Sequence, residues 1–266
     1  MGRVLCIANQ KGGVGKTTTA ISLAAGIARA GNRTLLIDLD PQCNATTGLG
    51  AEPSPSHPLV TGAPIQTTIR ATDAPKLDLL PGCRSFANIE TMAGPTVNAE
   101  GAPIDGEEAI PDEYLKRMKR ITRQLTEEIR EYDFVLIDSP PSLGRLTRTA
   151  LCWSTDVLMP IQCEYFAMEG LVRMVRVIRE VMTREKGTLA FAGIVLTMYD
   201  PSLELTREVD REVRDFFGEI VYKTVIPRDV AISEAPSHGK SIFDYAPRSR
   251  GARAYAELCL EVLEYV

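Results

Sequence analysis

Apolar residues in this chain fall into short continuous runs separated by polar, glycine-containing turns. That is the pattern of strands buried on both faces, not of strands with one wet side. Val4-Leu5-Cys6-Ile7-Ala8 is the first run, Arg33-Thr34-Leu35-Leu36-Ile37-Asp38 the second, and Leu77-Asp78-Leu79-Leu80 a shorter one ended by Pro81-Gly82. Further runs occupy residues 133–138, 156–161 and 190–198. Between them the period shifts to that of helices. Residues 19–30 carry Ile21, Leu23, Ala24, Ile27 and Ala28 at helical spacing, with Gly31 as a stop. Residues 112–131 align Leu115, Met118, Ile121, Leu125 and Ile129. Helices are also predicted at 142–153, at a long segment ending near Arg184 with Leu171, Val175, Ile178 and Met182 as its buried stripe, and at 250–266. This alternation predicts one α/β domain over residues 1–266, with a mostly parallel, doubly wound sheet flanked by helices. Segments 51–64 and 93–111, aperiodic and rich in Pro, Gly or Ser, read as exposed loops, and 85–92 as one or two helical turns.

The first turn between strand and helix is Asn9-Gln10-Lys11-Gly12-Gly13-Val14-Gly15-Lys16-Thr17-Thr18. Strand, glycine turn and helix in that order are the context of a phosphate-binding loop. Glycines let backbone N–H groups curl around phosphate oxygens, and the helix N-terminus adds partial positive charge. Lys16 is then placed for the β- and γ-phosphates of ATP and Thr17 for Mg²⁺. An apolar strand closing on Asp138 is the Walker B arrangement, a carboxylate holding a water on Mg²⁺. Asp38 and Asp40 form a second acidic cluster at a strand's C-terminal end, the edge at which open parallel sheets bind ligands.

Gln10 stands where the general phosphate-loop pattern has glycine, and a second lysine, Lys11, precedes Gly12-Gly13. This loop resembles the deviant Walker A motif of the ParA/MinD family of P-loop ATPases. The string Asp38-Leu39-Asp40-Pro41-Gln42-Cys43-Asn44 is similar to the family's segment after the second strand, with Cys43 where glycine is usual. The stretches at 221–230 and 233–241 resemble the chromosomal ParA (Soj) subgroup. The resemblance covers residues 1–50 and 133 to the end.

It implies an ATP-sandwiched homodimer in which Lys11 touches the partner's nucleotide, with Lys11, Lys16 and Asp40 serving catalysis. Asp40 would orient the attacking water, and Asp38 would help Thr17 and Asp138 organise Mg²⁺. Lys11 to Thr18 (through Gly12, Gly13, Val14, Gly15, Lys16 and Thr17) would cradle the phosphates, and Pro227 and Arg228 would pack on adenine. It further implies binding to non-specific double-stranded DNA and stimulation of slow hydrolysis by a ParB-like partner, moving chromosomes, plasmids or other cargo. Two departures bear on DNA. The subgroup's DNA-contacting arginines are matched here by Ser202 and Ala231. Arg207, Arg211 and Arg214, with Lys223, Lys240, Arg248 and Arg250, are the candidate replacements, yet acids are interspersed among them.

Composition narrows the picture only a little. At 266 residues with net charge −5, the chain does not coat nucleic acid with its whole surface. Six scattered cysteines without a Cys-x-x-Cys pair point to reduced thiols. No apolar run spans a membrane, the first strand follows directly on Met1-Gly2-Arg3, and the closing helix is acidic. The expectation is a cytoplasmic protein, nucleoid-associated when DNA is bound, with no membrane partner. The basic faces of 112–131 and of Arg173, Arg176 and Arg179 are either contact surfaces or solvated ones. His238 is assigned no chemistry. Three readings stay open: a partition ATPase, a ParA-like regulatory or scaffold switch acting on a protein without DNA, and a metabolic P-loop enzyme such as a ligase or reductase.

Overall fold

The computed structural model describes residues 2–86, 123–124, 126–164, 167–184 and 189–264. Among them eight strands form one sheet: β1 (Arg3–Ile7), β2 (Thr34–Asp38), β3 (Arg70–Ala71), β4 (Leu77–Leu80), β5 (Phe134–Asp138), β6 (Asp156–Gln162), β7 (Ala190–Tyr199) and β8 (Val221–Pro227). Their order is β3-β4-β2-β5-β1-β6-β7-β8. Only β3 runs antiparallel, against β4. The helices are α1 (Lys16–Arg29), α2 (Asn44–Gly48), α3 (Pro58–Thr61), α4 (Arg145–Trp153), α5 (Ala167–Arg184), α6 (Glu204–Phe217), α7 (Val230–Glu234), α8 (Ile242–Tyr245) and α9 (Arg250–Glu264).

Alternate residues of one strand feed opposite layers, as a two-residue side-chain period requires. Leu5, Ile7, Leu36 and Leu136 join Leu23 and Ile27 of α1 and Tyr255 and Leu258 of α9 in one core. Cys6, Leu35, Ile37 and Ile137 join Leu146 of α4 and Leu171, Met174 and Ile178 of α5 in the other. Both faces of the sheet are therefore covered, and both need apolar residues. This is why the strands read as unbroken apolar runs.

Several details depart from the sequence pattern. The seventh strand, not the sixth, is the one at 190–199, because two exposed residues at Arg70–Ala71 make an edge strand with no apolar signal. The stripe of α5 is Leu171, Met174, Ile178 and Val181; Val175 is only partly buried and Met182 is 40% exposed. A residue eleven positions from Leu171 has rotated past the seam that Val181 fills.

The segment 51–64 is not wholly an exposed loop. Ser54, His57, Pro58 and Leu59 are buried, and Pro58–Thr61 makes a helical turn. His57 caps that turn, its Nδ1 accepting from Leu59 N–H at 3.1 Å, and its ring lies 4.6 Å from Phe86. The predicted loop at 93–111, nearly all of the turns at 85–92 and most of the helix at 112–131 lie outside the described residues. No helix among those described is long and apolar enough to cross a membrane.

Burial drives the His57 imidazole down to about 3 from its ordinary value, so it is neutral in the fold at pH 7. A group depressed in this way contributes stability above its unfolded value, and the contribution is lost as pH falls toward the folded one. The stability advantage of wild type over His57→Asn, a cap that does not titrate, is expected to shrink by about 2 kcal/mol between pH 7 and pH 5. Urea denaturation at the two pH values reads this directly, and a constant difference would refute it.

Candidate active site

The site forms at the C-terminal ends of β1, β2 and β5. Flush parallel pairing sets Ile7 opposite Asp138 and Asp38 opposite Asp138, so the two acids end neighbouring strands side by side. Beyond Ile7 the chain turns through the glycine loop into α1, and left-handed backbone at Gly13 (φ 76°) and Gly15 (φ 87°) makes the turn. Asn9 fixes its entry. Its Nδ2 donates to the Pro160 carbonyl at 2.7 Å, and its Oδ1 accepts from Lys11 N–H at 3.0 Å. The exit is tied to β7, where the Thr197 hydroxyl donates to the Val14 carbonyl at 2.8 Å. No side chain caps the N-terminus of α1, so its first N–H groups remain available to an anion.

Lys16 is buried and its Nζ donates to the Lys11 carbonyl at 2.8 Å. Burial lowers its pKa, against the opposing pull of Asp138 and Asp40. Asp138 is wholly buried, and neither carboxylate oxygen has a well-formed hydrogen bond. The Thr17 hydroxyl is near enough to favour its charged form without completing one. Burial first, then the neighbouring Asp38, pushes the Asp138 carboxyl well above the usual range.

Asp38 is satisfied differently. One oxygen accepts from the Thr46 N–H at 2.8 Å and hydroxyl at 2.7 Å, the other from Asp40 N–H at 3.1 Å. Burial still raises it to about 6. Asp40 accepts from Gln42 N–H at 2.8 Å, and burial raises its carboxyl too.

Two unbonded, buried carboxylate oxygens beside a threonine hydroxyl and a lysine are a hard-oxygen donor set. These residues fit Mg²⁺, with Thr17 and Asp138 nearest it and Asp38 behind. A cavity of about 130 Å³ lies on the other side of the loop. Gly15, Thr18, Thr197, Met198, Ile226, Pro227, Arg228 and Tyr255 are among its lining residues. The structure thus gathers the loop lysine, Thr17 and the three acids at one edge, and brings Pro227 and Arg228 to the cavity that Gly15 and Thr18 also line. Cys43 occupies a left-handed position (φ 55°) at the start of α2, which accounts for the glycine usual there. Sequence reading gave no role to Asn9, Thr46 and Thr197. Each acts through a backbone or carboxylate contact that a single polar residue does not announce.

A family model described as an AAA domain matches residues 2–191. The sporulation initiation inhibitor protein Soj of Bacillus subtilis is 43% identical, the alignment covering 98% of both chains. The chromosome-partitioning ATPase Soj of Thermus thermophilus is 44% identical over 99% of this chain and 96% of that one. The chain belongs to the Soj/ParA family of chromosome-partitioning ATPases. It is a P-loop ATP hydrolase of the DNA-partitioning class. Among solved structures, a cobyrinic acid a,c-diamide synthase from Mycobacterium smegmatis with bound ADP and magnesium superimposes with a TM-score of 0.78. It is 32% identical, covering 100% of this chain and 95% of that one. The fold expected of a Soj/ParA chain, a mostly parallel sheet with helices on both faces, is the one observed.

The buried acids make the nucleotide-free Soj/ParA site costly. A carboxyl raised in the fold favours folding below its unfolded value, and that contribution is lost as pH rises through the folded value. Asp138→Asn removes a buried charge that has no partner. It is expected to raise the melting temperature of the nucleotide-free protein at pH 7 by several degrees. The gain should shrink toward pH 5, by at most about 1.4 kcal/mol per pH unit. Melting followed by circular dichroism decides it; a variant that melts below wild type at pH 7 would overturn this account of Asp138.

Proposed function

We propose that this protein binds ATP with Mg²⁺, dimerises around it, holds non-specific DNA in that state, and is returned to the monomer by hydrolysis that a ParB-like partner accelerates. The observation that carries the reading is the pair of unbonded Asp138 oxygens, buried beside Thr17 and Lys16 at an uncapped helix N-terminus. A buried charge left so is expensive unless a ligand completes it. When bound, Mg²⁺ neutralises phosphate charge and orients the β- and γ-phosphates.

The chain's own residues do the rest. Backbone N–H groups from Lys11 to Thr18 cradle phosphate oxygens, and Lys16 turns from the Lys11 carbonyl to the phosphates. Asp40, held by Gln42 N–H, orients water for attack at the γ-phosphorus. Pro227 and Arg228 flank adenine in the adjoining cavity, and Lys11 reaches the nucleotide of a second copy. The solved relative named with bound ADP and magnesium supports the same ligand pair here.

DNA binding rests on a local basic cluster. Ser202 is spent on Asp200, donating to it through both its N–H (3.0 Å) and its hydroxyl (2.6 Å). Around that turn gather Arg207, which donates to the Pro201 carbonyl at 2.6 Å, and Arg228 and Arg250, both close enough to Asp200 to favour its charge. These exposed guanidiniums are the phosphate contacts we assign in place of Ser202 and Ala231. The synthase name of the solved relative keeps a ligase in view, and turnover that requires an added metabolite would favour it.

Lys16→Ala is expected to abolish ATP binding, and Asp40→Ala to keep binding while steady-state phosphate release falls by at least tenfold. Full turnover by Asp40→Ala would defeat the assignment of the water-orienting base. With Asp40→Ala holding the dimer, binding to a random-sequence duplex should require ATP and fall steeply with salt. Arg228→Ala and Arg250→Ala should each flatten that slope by about one unit. No DNA binding at low salt despite an ATP dimer would transfer the protein to the reading of a switch acting on a protein partner.

A further inference from the structure

Lys11 is not free in the lone protomer. Its Nζ donates to Glu164 Oε2 at 2.5 Å, and the other carboxylate oxygen, Oε1, accepts from Gln162 Nε2 at 2.5 Å. Gln162 is the last residue of β6, and its carbonyl also takes the Glu164 N–H at 2.8 Å. The carboxylate is thus braced to the edge of the sheet by one neighbour and clasps Lys11 with its free side. The Lys11 main chain is held as well. Its N–H donates to Asn9 Oδ1, and its carbonyl accepts from Lys16 Nζ. Both lysines of the loop are therefore satisfied within one chain: Lys16 by the Lys11 carbonyl, Lys11 by Glu164.

We infer that Glu164 is a positioning residue that acts through Lys11, holding it in cis in the nucleotide-free protomer and setting the threshold for dimerisation. The inference rests on the reading that Lys11 serves a second copy's nucleotide. A lysine cannot keep the Glu164 contact and extend across an interface, so each protomer must give up one ion pair as the dimer forms. The contact is partly exposed, at 37% and 47% for the two side chains, which places it among ion pairs of modest strength. Weakness suits the role, since a deeply buried pair would lock the loop, whereas this one biases it. Filling of the nucleotide site draws Lys16 off the Lys11 carbonyl and removes one of the two holds on Lys11. Glu164 is the remaining one.

The size of the effect follows from there being two copies. An exposed pair is worth roughly two- to fivefold in an equilibrium. Because both protomers release it, the dimer Kd should tighten by about four- to twenty-five-fold when it is absent.

The experiment compares Glu164→Gln with its parent, both carrying Asp40→Ala, by sedimentation at saturating ATP and Mg²⁺. Glu164→Gln keeps the length and a polar partner for Gln162 but lacks the charge. The expected result is a tighter dimer, with ATP affinity of the dilute monomer unchanged within about twofold on the energetic scale of such pairs. The gap should close in half-molar KCl, because salt screens the parent's ion pair as the substitution removes it. Gln162→Ala, which loosens the brace and leaves the charge, should move the dimer Kd the same way by less.

A merely structural role for Glu164 would show as lowered monomer stability with no salt-dependent gap. That result, or an unchanged or weaker dimer in Glu164→Gln, overturns the inference. A weaker dimer would place Glu164 among the contacts of the dimer itself. If the parent forms no ATP-dependent dimer at all, the proposed function falls and takes the latch with it.

Discussion

The register between β2 and β5 is the constraint on which the site depends. Parallel strands paired flush must end together, so Asp38 and Asp138 stand next to each other with no water between them and the core. Nothing local favours this. Burial and like charge both oppose ionisation, and the Thr46 and Asp40 donors that steady Asp38 leave Asp138 without a well-formed bond. The two core layers supply the compensation. Leu36, Leu136 and Ile7 on one side and Ile37, Ile137 and Cys6 on the other fix the strands so firmly that the acids have nowhere to relax. Preorganisation of this kind is what a site for phosphoryl transfer requires, since most of its work is placing charge opposite charge.

Around this pair the rest of the chain supplies ties. Thr197 on β7 holds the Val14 carbonyl, Asn9 links the loop to Pro160 on β6, and Ser139 donates its hydroxyl to the Ile7 carbonyl at 2.9 Å. Each reaches the glycine loop or the strand feeding it from a different strand end. The loop is thus flexible in composition and fixed in surroundings. Gly82 adds a steric condition on the same acids. A Cβ there would lie 2.9 Å from the Asp38 carboxyl carbon and 3.1 Å from the Cys43 sulfur, so the chain must pass without a side chain.

Much of this was legible in the sequence, for identifiable reasons. Buried parallel strands need apolar residues on both faces, and the glycine loop needs glycine, so both leave compositional marks. The acids closing β2 and β5 could be read because each interrupts an apolar run at its end. What escaped notice had no such mark. Arg70–Ala71 pairs along an exposed edge where any residue serves. His57 sits in a Pro- and Ser-rich stretch that looks solvated, and its burial depends on Phe86 from a distant part of the chain. Thr46, Thr197 and Glu164 owe their roles to partners brought together only by the fold. Met182 failed for a simpler reason: a helix of eighteen residues rotates away from a stripe drawn with spacings of four.

The raised carboxyls of Asp38 and Asp138 carry one more consequence. Before nucleotide arrives these groups retain protons that an exposed acid would have shed, and a metal ion entering among them must expel those protons. Loading is then an exchange of protons for metal, and its apparent heat will follow the ionisation enthalpy of the buffer. The acidity of the surroundings becomes an input to the nucleotide cycle, entering through two strand ends that the sheet will not allow to separate.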